Sequence, residues 1–203
     1  MNSKRWNTLA AGALLSLSVA QLHSEDKFTD SLETAFVDGG QITINLSAGE
    51  HTISESPDNH IRVFWRVKDE HKKQEVEAST DVDGSIATID LDGPSNNFRT
   101  VIQIPRNSDL TVRLSAGELD VGNVEGNKDI RLRAGNLRIA VEDIHDYATV
   151  NGSLWAGDID SGPFGEEASG LFRSIDWEGE GEHKLRFKLM AGDVQIYQKT
   201  TSD

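Results

Sequence analysis

The sequence contains no cysteine, only two methionines and four prolines, and few aromatic residues, 6% of the total. Without cysteine there are no disulfides, zinc–thiolate sites, thiol catalysis or lipid-modified N-terminal Cys. Basic residues are also scarce, 20 against 34 acidic ones among 203 residues, which leaves a net charge of −14. A surface this acidic repels phosphate backbones, so no nucleic-acid partner is expected. After residue 20 nothing approaches about eighteen uninterrupted apolar residues, so no membrane span is expected in the mature chain. What remains, 36% apolar and 27% charged residues, is enough for the core of one domain.

Residues 1–20 read as an export signal. Lys4 and Arg5 precede the uncharged stretch Leu9–Ala20, with Ser18 and Ala20 at the −3 and −1 positions of a cleavage site before Gln21. That stretch spans roughly 18 Å as a helix, against a hydrocarbon core of roughly 30 Å, so it is too short to anchor the chain. Its removal takes the net charge from −14 to −16. The expected location is the periplasm, the cell surface or the extracellular space.

From residue 38 onward, apolar residues alternate in short windows: Ile42, Ile44, Leu46; Ile61, Val63, Trp65, Val67; Ile102, Ile104; Leu110, Val112, Leu114. A period of two predicts strands. Clusters such as Asp83-Gly84 and Gly93-Pro94-Ser95-Asn96-Asn97 punctuate them as turns. No window carries a capped helical stripe, and residues 141–149 are allowed one or two turns at most.

Aligned Ala-Gly pairs reveal an internal repeat. ITINLSAGEHTI (42–53), LTVRLSAGELDV (110–121), DIRLRAGNLRI (129–139), NGSLWAGDIDS (151–161) and LRFKLMAGDVQI (185–196) share Leu-x-Ala-Gly followed by Asp, Glu or Asn. The glycines are Gly49, Gly117, Gly135, Gly157 and Gly192, spaced by 68, 18, 22 and 35 residues. Spacings near twenty fit one rung of a stacked β-structure, and the gap of 35 leaves room for a degenerate copy near Ile175–Gly179. Leu and Ala two apart are expected to face inward together, with Gly turning a corner and the acid or Asn accepting backbone N–H groups. A unit of this size cannot bury its own apolar face, so the copies are stable only as a stack.

These units, with IPRNSDLTVRLSAGELDV at 104–121 and GLFRSIDWEGEGEHKLRFKLMAGDVQI at 170–196, resemble the bacterial putative-adhesin family, whose repetitive all-β fold is also called the toast-rack. The likeness covers roughly residues 38–197. It implies an envelope or surface β-solenoid and brings no catalytic residues to carry over. Relatives are attached to membrane proteins or exported as single domains, and this chain is similar to the second kind. The expected organisation is a signal peptide over 1–20, a flexible segment over 21–37, an all-β single-domain solenoid over 38–199 and a polar tail over 200–203.

Chemistry-bearing patterns are few. His23, His51, His60, His71, His145 and His183 lie outside metal-ligand spacing and read as solvated. Nucleophile elbow, P-loop and dinucleotide fingerprints are absent. The corner residues Glu50, Glu118, Asn136, Asp158 and Asp193 read as turn formers rather than a calcium column. No metal, no cofactor and no catalysis are expected.

The positions between the inward ones place Arg113, Arg131, Arg133, Arg186 and Lys188 on one outward strip, with Ser115, Ser153, Trp155 and Met190. One reading is a cationic strip with an aromatic platform for an anionic envelope polymer. The other, safer one is pairing with acids across strands. Trp65 is expected in the core, and Phe64 with Trp155 are the candidates for sugar stacking. The expected function is a non-catalytic binding or structural module; the alternatives are a ligand-binding partner of an envelope-stress sensor and, as the minor one, a β-helix polysaccharide-processing enzyme. The partner is expected to be an envelope polymer, glycan or protein, and the chain a monomer.

Overall fold

The computed structural model describes residues 28, 30–165 and 167–199. The expected signal peptide and the tail over 200–203 lie outside them. The described residues fold as one all-β domain of thirteen strands: β1 Asp30–Ala35, β2 Gln41–Leu46, β3 Gly49–Glu55, β4 His60–Val67, β5 Glu77–Asp83, β6 Ile86–Asp92, β7 Phe98–Ile104, β8 Asp109–Val121, β9 Lys128–Val141, β10 Tyr147–Asp160, β11 Glu167–Glu178, β12 His183–Ala191 and β13 Val194–Gln198. Among the described residues the other elements are three short 3-10 turns, one of them at Ile144–Asp146 inside the window allowed for a turn.

The repeat copies pair in parallel and in register. Before the corner, β2, β8, β9, β12 and β10 lie side by side; after it, β3, β8, β9, β13 and β10 do. Leu46, Leu114, Leu132, Leu189 and Leu154 therefore form one buried column. Beyond the corner, Leu119, Leu137, Val194 and Ile159 form another. Each such side chain contributes roughly 1.5–3 kcal/mol on burial, which a lone rung does not collect. The next column shows how volume is shared: Phe187 is buried beside Gly152, where an added Cβ would stand 2.0 Å from its ring.

The corner glycines form a column of their own. A Cβ on Gly117 would meet the Gly49 carbonyl oxygen at 1.9 Å, and one on Gly135 would meet that of Gly117 at 1.8 Å. Their φ angles, 123° and 127°, are open to glycine and rarely to other residues. Gly192 stacks on Gly135 in the same way, and Gly157 on Gly192.

Several expectations are corrected. Spatial order is not chain order, because β12 and β13 return into the slot between β9 and β10. The segment near Ile175–Gly179 is no further parallel rung: β11 runs antiparallel along β10 and closes that end. The 68-residue gap between Gly49 and Gly117 hides a rung without the motif, β6 and β7, which stacks in parallel on β2 and β3. Antiparallel β5, and β4 with β1, close this second end. Residues 30–35, expected within the flexible segment, form β1, where Leu32 packs against the core. The repeat alanines are not in the core: Ala134 and Ala191 are exposed, since the chain turns at Ala-Gly and the alternation breaks there.

Candidate functional site

The outward strip forms as the alternation requires. Arg113 lies opposite Arg131 across β8 and β9, and Arg131 opposite Lys188 across β9 and β12. With strands spaced about 4.8 Å apart, three cations stand in one row about 10 Å long. Arg133 and Arg186 flank that row two residues to either side on the same exposed face. Like charges directly opposite one another on neighbouring strands are destabilising.

Pairing with acids accounts for part of this strip. Arg131 donates to both carboxylate oxygens of Asp129, two residues back on its own strand, at 3.2 and 3.1 Å. Arg113 donates to Asn45 Oδ1 at 3.3 Å, and Asn45 Nδ2 donates to Asp90 Oδ1 at 2.7 Å. The side chains of Arg133, Arg186 and Lys188 have no ion pair or hydrogen-bond partner among the described residues. Elsewhere on the molecule, arginines are engaged: Arg62 bonds Glu33 and Asp58, and Arg106 bonds Glu55, Glu125 and Glu142.

Beside the cations the surface becomes apolar. Met190, Trp155 and Phe172 are 55, 54 and 73% exposed, and the Trp155 and Phe172 rings meet edge to face with centroids 5.9 Å apart. Phe172 has φ 55°, unusual for a bulky residue. On the other side a groove of about 1070 Å³ runs from Glu77, Ser79 and Asp90 past Asn45 and Ser47 to Arg113, Arg131, Arg133 and Lys188. Phe64 does not join the strip: it lies on β4, in the other half of the fold, against Phe28. Trp65 is partly buried against the core, as expected from its alternation.

The corner residues do not gather as a cation site. Glu50 pairs with Arg99, and Asp193 Oδ1 accepts the Asp158 N–H at 3.2 Å. Among the described residues no group of three or more His, Asp and Glu is placed to hold a metal ion.

Titratable residues also occupy inward ladder positions. His51, expected to be solvated, is 2% exposed beside Leu119 in the column beyond the corner. Its Nδ1 lies 2.8 Å from Thr100 Oγ1 and its Nε2 3.1 Å from the Ser47 carbonyl, which fits a neutral ring donating from Nε2. Burial pushes its pKa down to about 4. Lys128, missed in the sequence although it shares parity with Ile130 and Leu132, stands between Leu110 and Leu185. Its Nζ donates to Tyr147 Oη at 2.9 Å and to the Gly126 carbonyl at 3.2 Å, and burial lowers its pKa to about 8. Phe172 was missed as well, because its place beside Trp155 depends on the antiparallel course of β11.

No family model and no curated relative matches the chain. Among solved structures, it shares its fold with a putative cell adhesion protein from Clostridium sporogenes at 12% identity, with a TM-score of 0.53, over 84% of this chain and 99% of that one. A putative adhesin from Bacteroides fragilis matches at 9% identity over 83% of this chain and 96% of its own, with a TM-score of 0.29.

Proposed function

We propose that the chain is an exported, non-catalytic binding module of the cell envelope or cell surface, built as a toast-rack-type β-solenoid, and that its site is the outward face of β8, β9 and β12. The observation that carries this reading is the row Arg113, Arg131 and Lys188, three cations in register on an otherwise acidic protein. A fold gains nothing from placing like charges side by side. An anionic partner turns that cost into binding energy and steers its own approach to the face.

Three further observations support the reading. The export-like segment over 1–20 fits delivery to the envelope, and among the described residues no helix is long and apolar enough to cross a membrane. The fold is that of a protein called a putative cell adhesion protein. The exposed aromatic pair offers amphipathic contact area of the kind enriched at interfaces.

Binding to intact bacterial envelopes tests it. Beads coated with the chain should retain envelope fragments, and a variant with Arg131, Arg133 and Trp155 replaced by Ser should retain at least tenfold less with its melting temperature unchanged. Equal retention by both proteins would place any interaction elsewhere and sink the proposal.

A further inference from the structure

We infer that this face takes an acidic polysaccharide whose rings each carry a carboxylate, a polyuronate, laid across the strands so that its carboxylates meet Arg113, Arg131 and Lys188 while a neighbouring ring rests on Trp155. The inference rests on the binding-module reading and names its ligand class.

Geometry selects this chemistry among anions. The cations repeat once per strand, about every 4.8 Å, along a line perpendicular to the strands. A linear glycan with one carboxylate per ring presents its charges along such a line, and rotation about its glycosidic bonds lets them turn towards the row. An extended acidic peptide does not keep that step, since side chains on one of its faces recur every second residue, about 6.6 Å apart.

The surroundings suit a sugar more than a bare anion. One strand beyond Lys188 lies Ser153, and two residues along β10 is Trp155, exposed and braced edge to face by Phe172. An exposed indole held by a second ring presents a firm apolar platform to the C–H groups of a pyranose. Asn45, Ser47, Ser79 and Ser115 line the adjoining groove with amide and hydroxyl groups that match ring hydroxyls. Asp90 and Asp92 stand at the far wall of that groove and repel a longer run of carboxylates, so the footprint is short. Arg133, Arg186 and Lys188 keep their donors available for the ligand.

Calorimetric titration of the full chain with oligogalacturonates of two to eight rings tests this, beside the same oligomers fully methyl-esterified and beside poly-glutamate of matched charge. Saturable binding that strengthens over the first few rings and then levels is the expected result, since the row of cations is short. Esterification, the paired change R131S and K188S, and W155A should each weaken it at least tenfold, with melting temperatures unchanged. No saturable binding of the acidic oligomers overturns the inference, as does equal binding of poly-glutamate or indifference to W155A. Self-association of the chain that blocks the titration also overturns it, since the face would then be occupied by a second copy. Envelope retention that depends on the strip, with oligogalacturonates ignored, overturns the ligand class alone and leaves the binding module standing.

Discussion

At the residue scale His51 and Lys128, both buried and both with a lowered pKa, favour the fold as pH rises, each over its own window. His51 has a folded pKa of about 4, lowered by burial from the ordinary 6.5. Its contribution to stability is complete above pH 6.5 and is lost as pH falls towards 4, because the unfolded state binds the proton first. The expected loss is about 3 kcal/mol across that window, measured as the difference in unfolding free energy between the chain and His51→Gln, whose side chain does not titrate. Parallel pH profiles for the two proteins would contradict the assignment. Lys128 has a lowered folded pKa of about 8, so its charge burdens the fold most below pH 8 and is relieved as pH rises towards 10.5. Lys128→Met keeps the column filled and should hold or raise stability at pH 7, and the difference between the two proteins should narrow from pH 8 to 10. A loss above about 3 kcal/mol on Lys128→Met would show instead that the bonds to Tyr147 and Gly126 outweigh the burial of the charge.

At the scale of the element, the corner decides whether a rung stacks. Gly135→Ala places a methyl where the Gly117 carbonyl oxygen stands, 1.8 Å away, on a φ of 127°. Backbone strain and backbone clash then add, and a loss above about 4 kcal/mol is expected. Gly84→Ala separates the two causes: φ is 59° there, but nothing lies within 4 Å of the added Cβ. It should cost only about 1 kcal/mol. Chemical denaturation of both variants measures this, and similar losses in the two would remove clash from the account.

Much of this was legible from the sequence at the same scale. The Leu-x-Ala-Gly copies announce the parallel ladder because each is a local signal, and the alternation around Arg131 and Lys188 places them outward by parity alone. Less was legible where the cause is non-local. The antiparallel turn of β11, the insertion of β12 between β9 and β10, and the rung of β6 and β7 depend on which neighbour a strand meets. The burial of Lys128 was legible from its parity with Ile130 and Leu132. That of His51 was less so, since the break in alternation at the corner resets the count.

For the whole molecule, parallel rungs end in antiparallel strands, and β5 leaves one edge of the sheet open. Its outward residues Glu77, Asp81 and Asp83 are exposed acids, which discourage pairing with a second sheet edge. The chain should therefore elute as a monomer, and replacing these three acids by Ser should bring concentration-dependent association, read by light scattering. Unchanged monomer behaviour would mean that the edge is protected by other means. The same charge distribution leaves the cationic face of β8, β9 and β12 as the counterpart to an acidic remainder, and the account as a whole stands on that face being the site of binding. Carbene footprinting of the chain on isolated bacterial envelopes tests this most directly. Protection of Arg113, Arg131, Arg133, Trp155, Arg186 and Lys188 is expected, with Arg138 and Tyr197 beyond the corner labelled as in the free chain. Protection confined to the half beyond the corner, or none while the chain remains bound, would contradict it.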